Sequence, residues 1–177
     1  MADELVSKVF EVEGWGWIGL VASERGLRGL FLPRSAEAEA LAGLRKYYPN
    51  AIATPDHPLL TEAQRQVTAY LSGELREFNV PVDLRGNTSF ALSVWSATTR
   101  IGYGETRAYR WIADQIGGGG AGIYQAVGAA LGANPVPLII PCHRVVGSDG
   151  SLHGYAGGLD MKLRLLSLES GQGTLAF

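Results

Sequence analysis

Residues Pro141-Cys142-His143-Arg144-Val145 hold the single cysteine of a 177-residue chain, with an imidazole directly after it. A lone thiol has no partner within its chain for a disulfide and builds no cysteine-rich metal site. It is either a small buried hydrophobe or a nucleophile. A thiol reacts as its thiolate, and a neighbouring histidine or a positive field is the usual way to make one near neutral pH. The flanking words bear on that choice. Asn134-Pro135-Val136-Pro137 precedes the cysteine, and Gly154-Tyr155-Ala156-Gly157-Gly158 follows it.

Elements must carry these residues. Val6 to Val12, Trp17 to Ala22 and Leu27 to Leu32 are rich in β-formers and separated by Gly-Trp-Gly and Ser-Glu-Arg-Gly turns, which predicts a β meander. Ser35 is expected to cap a helix through Ala40, Leu41 and Leu44 that ends near Tyr48-Pro49. A second helix is expected after Pro58, with Leu60, Ala63, Val67, Tyr70 and Leu71 on one face. Val80 to Leu84 reads as one more short strand, and Arg85-Gly86-Asn87-Thr88 as the turn at a domain boundary. Beyond it Phe90, Val94, Ala97 and Ile101 recur at helical spacing, and Gly102-Tyr103-Gly104 ends that helix. A short helix from Tyr109 to Ile116, the run Gly117 to Gly120 and a small-residue helix from about Gly122 to Leu131 have the outline of a helix-turn-helix. Two core helices joined by a loop would read the same way. Ala126, Gly128, Ala129 and Ala130 let the second helix approach a surface closely, whether another helix or a nucleic-acid groove.

Net charge is −2, with nine Lys/Arg against twelve Asp/Glu in residues 1–99 and six against five in residues 100–177. Any DNA binding must therefore rely on shape, helix termini and a few arginines, and a shallow salt dependence is expected. No signal peptide and no membrane-spanning run is evident, and one cysteine suits a reducing, cytoplasmic setting. Before His57 there is neither cysteine nor histidine, so no four-ligand zinc site is expected in the first domain. Gly117 to Gly120 lacks the Lys-Ser/Thr of a phosphate loop.

The C-terminal half resembles the O6-alkylguanine-DNA alkyltransferases, also called methylated-DNA–protein-cysteine methyltransferases. The resemblance rests on Phe90…Val94-Trp95, Ile101…Gly104-Glu105-Thr106, Tyr109…Ala113, Ala126-Val127-Gly128, Asn134-Pro135, Pro141-Cys142-His143-Arg144-Val145, Gly154-Tyr155…Gly157-Gly158 and Lys162…Leu165-Leu166…Glu169, in the family's order across roughly residues 88–170. It implies an α+β chain. Residues 1–86 would form a ribonuclease-H-like domain of antiparallel sheet and helices. Residues 87–170 would form a mostly helical, winged-helix-like catalytic and DNA-binding domain with a helix-turn-helix, and residues 171–177 a tail. The implied activity is transfer of an alkyl group from O6-alkylguanine, with O4-alkylthymine as a further candidate, to the protein's own cysteine. It is irreversible, happens once per molecule, and needs no cofactor. The base must first rotate out of the duplex, which costs a few kcal/mol. Double-stranded DNA is the implied partner and a monomer the implied state.

Position by position, Cys142 would accept the alkyl group, with His143 its base through a water and Glu169 orienting His143. Asn134 would bridge the turn between the recognition helix and the active-site strand, and Tyr109 would donate to the departing guanine. The carbonyls of Cys142 and Val145 would accept from the guanine amine. The N–H of Ala156, in the loop with Tyr155 and Gly157, would donate to O6. Tyr124, Gln125, Ala126 and Gly128 on the second helix would face DNA; Arg144 is placed with them, and reads equally as a structural residue or as one that raises the local potential around the thiolate. Read apart from the family words, Glu169 is a solvated helix residue and Tyr109 and Tyr155 are half-buried core tyrosines. His57 and His153 carry no functional signal, and Trp15 and Trp17 read as turn packing.

The chain departs from the family pattern at Gln125, where an arginine normally inserts into the duplex. Glutamine has no charge and a smaller stacking plane, and Tyr124 is the alternative wedge. Ala91-Leu92 replaces a frequent Gln-Arg, and Gly102 a frequent proline. Two other classes of function compete: a non-catalytic sensor of alkylated bases, disfavoured because Cys142-His143 is retained, and a Cys-His-Glu thiol hydrolase, disfavoured because no oxyanion hole announces itself.

Overall fold

The computed structural model describes residues 3–171, so residues 172–177 of the expected tail lie outside the described residues. The chain divides into two compact units, Met1–Arg85 and Gly86–Phe177.

In the first unit, β1 (Val6–Val12), β2 (Gly16–Ser23) and β3 (Gly26–Arg34) form an antiparallel meander. β4 (Ile52–Ala53) adds a short parallel edge, giving the order β3-β2-β1-β4. β2 is buried continuously from Ile18 to Ser23, so both its faces are covered, and helices α1 (Glu37–Tyr47) and α2 (Pro58–Leu71) both pack against it. Proline stands in the first turn of α2, where its missing N–H costs nothing. The indole N–H of Trp15 donates to Leu71 O at 3.0 Å and ties the first hairpin to the end of α2. Two expectations are corrected. Ala36, not Ser35, occupies the N-cap of α1, and the Ser35 hydroxyl turns to the Glu39 carboxylate instead. Val80 to Leu84 makes only a single parallel bridge, Leu27 to Val82, because Pro81 has no N–H to extend a ladder. Its neighbour Asp83 is buried, accepts from Ser23 Oγ at 2.6 Å and is forked by Arg85, which holds its carboxyl far below the usual carboxylate range.

The second unit begins with α3 (Ser89–Thr99), capped by Thr88 Oγ1 accepting from Ala91 N–H. α3 ends at Thr99, earlier than the apolar spacing through Ile101 suggests. Its Trp95 is fully buried and donates to Ala130 O at 2.8 Å, which seats α3 on α5 (Ile123–Gly132) where the side chains are small. α4 (Tyr109–Gln115) and α5 flank the glycine run and pack on one another, so both readings of this segment, as packed helices and as a helix-turn-helix outline, describe the same pair. β5 (Arg107–Ala108) pairs in parallel with β6 (Val145–Val146), Arg107 opposite Val145, and α6 (Leu159–Glu169) closes the unit. Among the described residues no helix is long and apolar enough to cross a membrane.

Candidate active site

Cys142 opens a single 3-10 turn, Cys142–Arg144, and does not lie on a strand as expected. Pro135, Pro137 and Pro141 precede it and supply no N–H for a ladder. Pro141 (φ −82°, ψ 62°) makes an inverse γ-turn in which Cys142 N–H donates to Ile140 O at 2.8 Å. Asn134 braces this corner from the end of α5. Its Nδ2 donates to Ile140 O at 2.8 Å and to Cys142 Sγ at 3.2 Å, while its Oδ1 accepts from Val136 N–H at 3.0 Å. Within the bracket Leu138 takes φ 74°, a left-handed conformation that costs a branched residue on the order of 1–3 kcal/mol. The surrounding bonds over-determine it.

Cys142 is only 7 % exposed, and that burial pushes its thiol above the ordinary value. The Asn134 amide pulls most strongly the other way, followed by the positive charge of Lys162 and the backbone N–H groups of Cys142 and His143. His143 is fully buried, and its Nε2 meets Glu169 Oε1 at 2.8 Å. Burial lowers its proton affinity and the carboxylate opposes this, so the ring is held neutral. With Glu169 ionised, Nε2 is the donor and Nδ1 carries the basic lone pair. Glu169 is buried at the end of α6, not solvated.

Arg144 corrects the expectation of a DNA contact. Its Nε and Nη2 fork onto Glu169 at 2.8–3.2 Å, its Nη1 donates to Ile101 O at 2.6 Å, and the residue is 7 % exposed. A guanidinium committed in this way cannot reach a phosphate; it neutralises the carboxylate instead. Gly104 completes the junction. Its N–H approaches Glu169 Oε2 at 3.3 Å, at φ 78°, and a Cβ there would stand 3.1 Å from the Glu169 carbonyl. Glycine is required at that approach.

Sequence reasoning missed Lys162 as a site residue. It is 1 % exposed, and its ammonium donates to Val145 O at 2.6 Å and His153 O at 3.1 Å. The signal was available in the spacing: Lys162, Leu165 and Glu169 are three and four residues apart, share one helical face, and are all buried. We expect Lys162→Met to slow iodoacetamide alkylation of Cys142 severalfold at pH 7, because the positive charge that favours the thiolate is gone. The deficit should close at high pH. A rate-against-pH curve identical to wild type would remove Lys162 from the thiol's environment.

The β5–β6 pair sets Tyr109, the residue after β5, beside the segment that follows Cys142. Tyr109 is half-buried. Burial and the charge of the cysteine raise its phenol, so it stands as a neutral donor. The Tyr155 hydroxyl is buried and finds no hydrogen-bond partner among the described residues, and burial likewise raises it. The Cys142 carbonyl already accepts from Val145 N–H and the Val145 carbonyl from Lys162, so each has one lone pair to spare. Ala156 is exposed and Gly157 partly so. On α5, Tyr124 (53 % exposed), Gln125 and Ala126 lie on the surface, and nothing lies within 4 Å of the Cβ position of Gly128. The structure therefore brings together two bonded groups in adjacent residues, Asn134 on Cys142 and Glu169 on His143, while the α5 residues form a separate exposed face.

Residues 89–171 match the family model described as 6-O-methylguanine DNA methyltransferase, DNA binding domain, and residues 14–84 match its ribonuclease-like domain. The methylated-DNA–protein-cysteine methyltransferase of Methanosarcina barkeri is 45% identical over 154 residues, covering 87% of this chain and 90% of that protein. The chain belongs to the methylated-DNA–protein-cysteine methyltransferase family. Another methylated-DNA–protein-cysteine methyltransferase, from Mycobacterium tuberculosis, is 53% identical over 116 residues, 66% of this chain and 68% of that one. The solved structure of Mycobacterium tuberculosis OGT in complex with DNA superposes with a TM-score of 0.78 at 38% identity, covering 96% of this chain and 95% of that one. The α+β reading, with a sheet-bearing ribonuclease-like half and a helical half, agrees with these methyltransferase structures.

Proposed function

We propose that this chain repairs DNA by taking the alkyl group of O6-alkylguanine onto Cys142, once per molecule. One observation carries the reading: a buried thiol is bracketed by Asn134 in the same unit as a buried His143–Glu169 couple. His143, through a water, accepts the thiol proton. The thiolate attacks the alkyl carbon, the S–C bond forms, and the C–O6 bond breaks with its electron pair going to the guanine. The guanine is protonated by the neutral Tyr109 hydroxyl, and the proton held on His143 restores Tyr109 through solvent. The spare lone pairs of the Cys142 and Val145 carbonyls receive the guanine amine, and the Ala156 N–H faces O6. Tyr155 and Gly157 complete the pocket wall. A thiol this buried cannot meet a stacked base, so the nucleotide turns out of the duplex. Tyr124, Gln125, Ala126 and Gly128 form the face that handles the DNA. O4-alkylthymine offers the same alkyl–oxygen bond and is the second substrate to try.

The deciding measurement is intact mass after incubation with methylated duplex DNA. One methyl adduct, mapped to Cys142, is expected. Unmodified protein that retards the DNA would mean a sensor, and repeated turnover a hydrolase. A second test addresses the α5 face, which presents the uncharged Gln125 where the family carries a cation. Gln125→Arg should speed transfer from methylated duplex DNA about tenfold, the worth of one charge-assisted hydrogen bond, and leave reaction with free O6-benzylguanine unchanged. Equal gains on both substrates would show that residue 125 has no part in handling the duplex.

A further inference from the structure

The loop after β6 carries a second group of polar side chains, distinct from the thiol network. Ser151 Oγ lies 2.5 Å from Asp149 Oδ1 and 2.9 Å from His153 Nε2, and Ser151 N–H donates to the same Asp149 oxygen at 3.0 Å. These bonds from Ser151 hold the Asp149 carboxyl below its usual range, so it is ionised and only accepts. The single hydroxyl proton of Ser151 therefore goes to Asp149, and the contact at 2.9 Å requires His153 Nε2 to carry a proton and donate. The imidazole is tethered in one orientation.

Gly147 makes that tether possible. A Cβ at 147 would stand 2.6 Å from His153 Nε2, 2.6 Å from Ser151 Oγ and 2.8 Å from Asp149 Oδ1. The three polar atoms converge on the volume that a side chain would take. The loop is closed around them by Gly147 N–H to Ser151 O at 2.8 Å and Gly150 N–H to Gly147 O at 2.9 Å. The tethered ring then makes a T-shaped contact with the Tyr109 ring, with centroids 6.0 Å apart and planes at 71°. The His153 carbonyl, meanwhile, accepts from Lys162. A histidine with no signal in the sequence thus touches both a neutral phenol beside the reactive thiol and the cation beside it.

We infer that His153 is a positioning residue for Tyr109: the Asp149–Ser151–His153 chain, seated over Gly147, holds the imidazole in T-shaped contact with the Tyr109 ring and so fixes the phenol that serves the departing guanine. This rests on the reading of Tyr109 given under Proposed function. The contact is of the edge-to-face kind preferred by aromatic rings, and its loss corresponds to about a three- to tenfold change in rate.

The test uses the full chain and free O6-benzylguanine, with His153→Ala, Gly147→Ala, Tyr109→Phe and the double variant His153→Ala/Tyr109→Phe. Gly147→Ala dislodges the tether without removing any of its members. Iodoacetamide alkylation of Cys142, which has no purine leaving group, runs in parallel. His153→Ala and Gly147→Ala should each lower the rate constant at saturating O6-benzylguanine about three- to tenfold. The half-saturating concentration and the iodoacetamide rate should stay within about twofold of wild type. In the Tyr109→Phe background, His153→Ala should add nothing further. An equal loss with iodoacetamide would reduce His153 to a structural residue, and a full loss persisting without the phenol would sever it from Tyr109. If Tyr109→Phe slows transfer and His153→Ala does not, the inference alone falls. If Tyr109→Phe has no effect, the role of Tyr109 falls and this inference with it.

Discussion

Cys142→Ala is expected to abolish alkyl transfer and to leave binding to DNA within about twofold. The chain has no second cysteine, so no other thiol can take the group. The structural loss is small. Alanine removes a sulfur that accepts one weak bond from Asn134, and Asn134 keeps its bonds to Ile140 O and Val136 N–H. The cost is about 1 kcal/mol, so thermal unfolding shifts by only a few degrees. Tyr124, Gln125 and Ala126 lie on a different element and stay exposed. The measurements are mass after incubation with methylated DNA, mobility shift on the same DNA, and Tm. Loss of DNA binding together with transfer would mean that Cys142 is a structural hydrophobe, the first of the two choices its sequence context left open.

Glu169→Gln is expected to slow transfer by about 100-fold at pH 7, within the range for a positioned general base, with a deficit that shrinks as pH rises. The sign follows from two opposing displacements. Burial raises the Cys142 thiol, so little thiolate exists at neutral pH unless His143 takes the proton. Burial also lowers the His143 imidazole, and the Glu169 carboxylate is the largest influence raising it again. Glutamine removes that support, so His143 becomes a weaker base and its imidazolium loses a counterion. At high pH, solvent hydroxide ionises the thiol without help from His143, and the two proteins converge. Stability moves as well. Arg144 would be left as a buried guanidinium with no counterion, at a cost of about 3–5 kcal/mol, or a fall in Tm of roughly 12–40 °C for a unit of this size. The rates are therefore compared at 15 °C, with folding checked by circular dichroism. A deficit that is flat or grows with pH would show that Glu169 does not act through the imidazole.

Much of the architecture was legible because local chemistry and tertiary demand agree. β-formers between glycine turns gave β1 to β3 within a residue or two, and proline at the start of α2 marked its first turn. Other features had no local signature. β5 and β6 are two residues each, too short for any period, yet their pairing sets Tyr109 beside the segment after Cys142. Val80 to Leu84 has strand composition, but a single proline limits it to one bridge. Arginine in a Cys-His-Arg word reads as a cation for DNA, as a structural residue or as a charge beside the thiolate, and the word alone does not choose. Its use inside the protein depends on Glu169, 25 residues away, being brought to it by α6. His153 illustrates the same limit. Its neighbours in sequence are bland, and its meaning comes from a loop closure and from a ring 44 positions earlier in the chain.

Glu169 is also the last residue of α6, the place where a helix ordinarily frays. Here that residue is fastened by the imidazole of His143, the guanidinium of Arg144 and the N–H of Gly104, which come from two different stretches of chain. Opening the final helical turn would unfasten all three at once. The end of α6 thus behaves as a latch, and the reactive arrangement lasts only as long as one turn of helix stays wound.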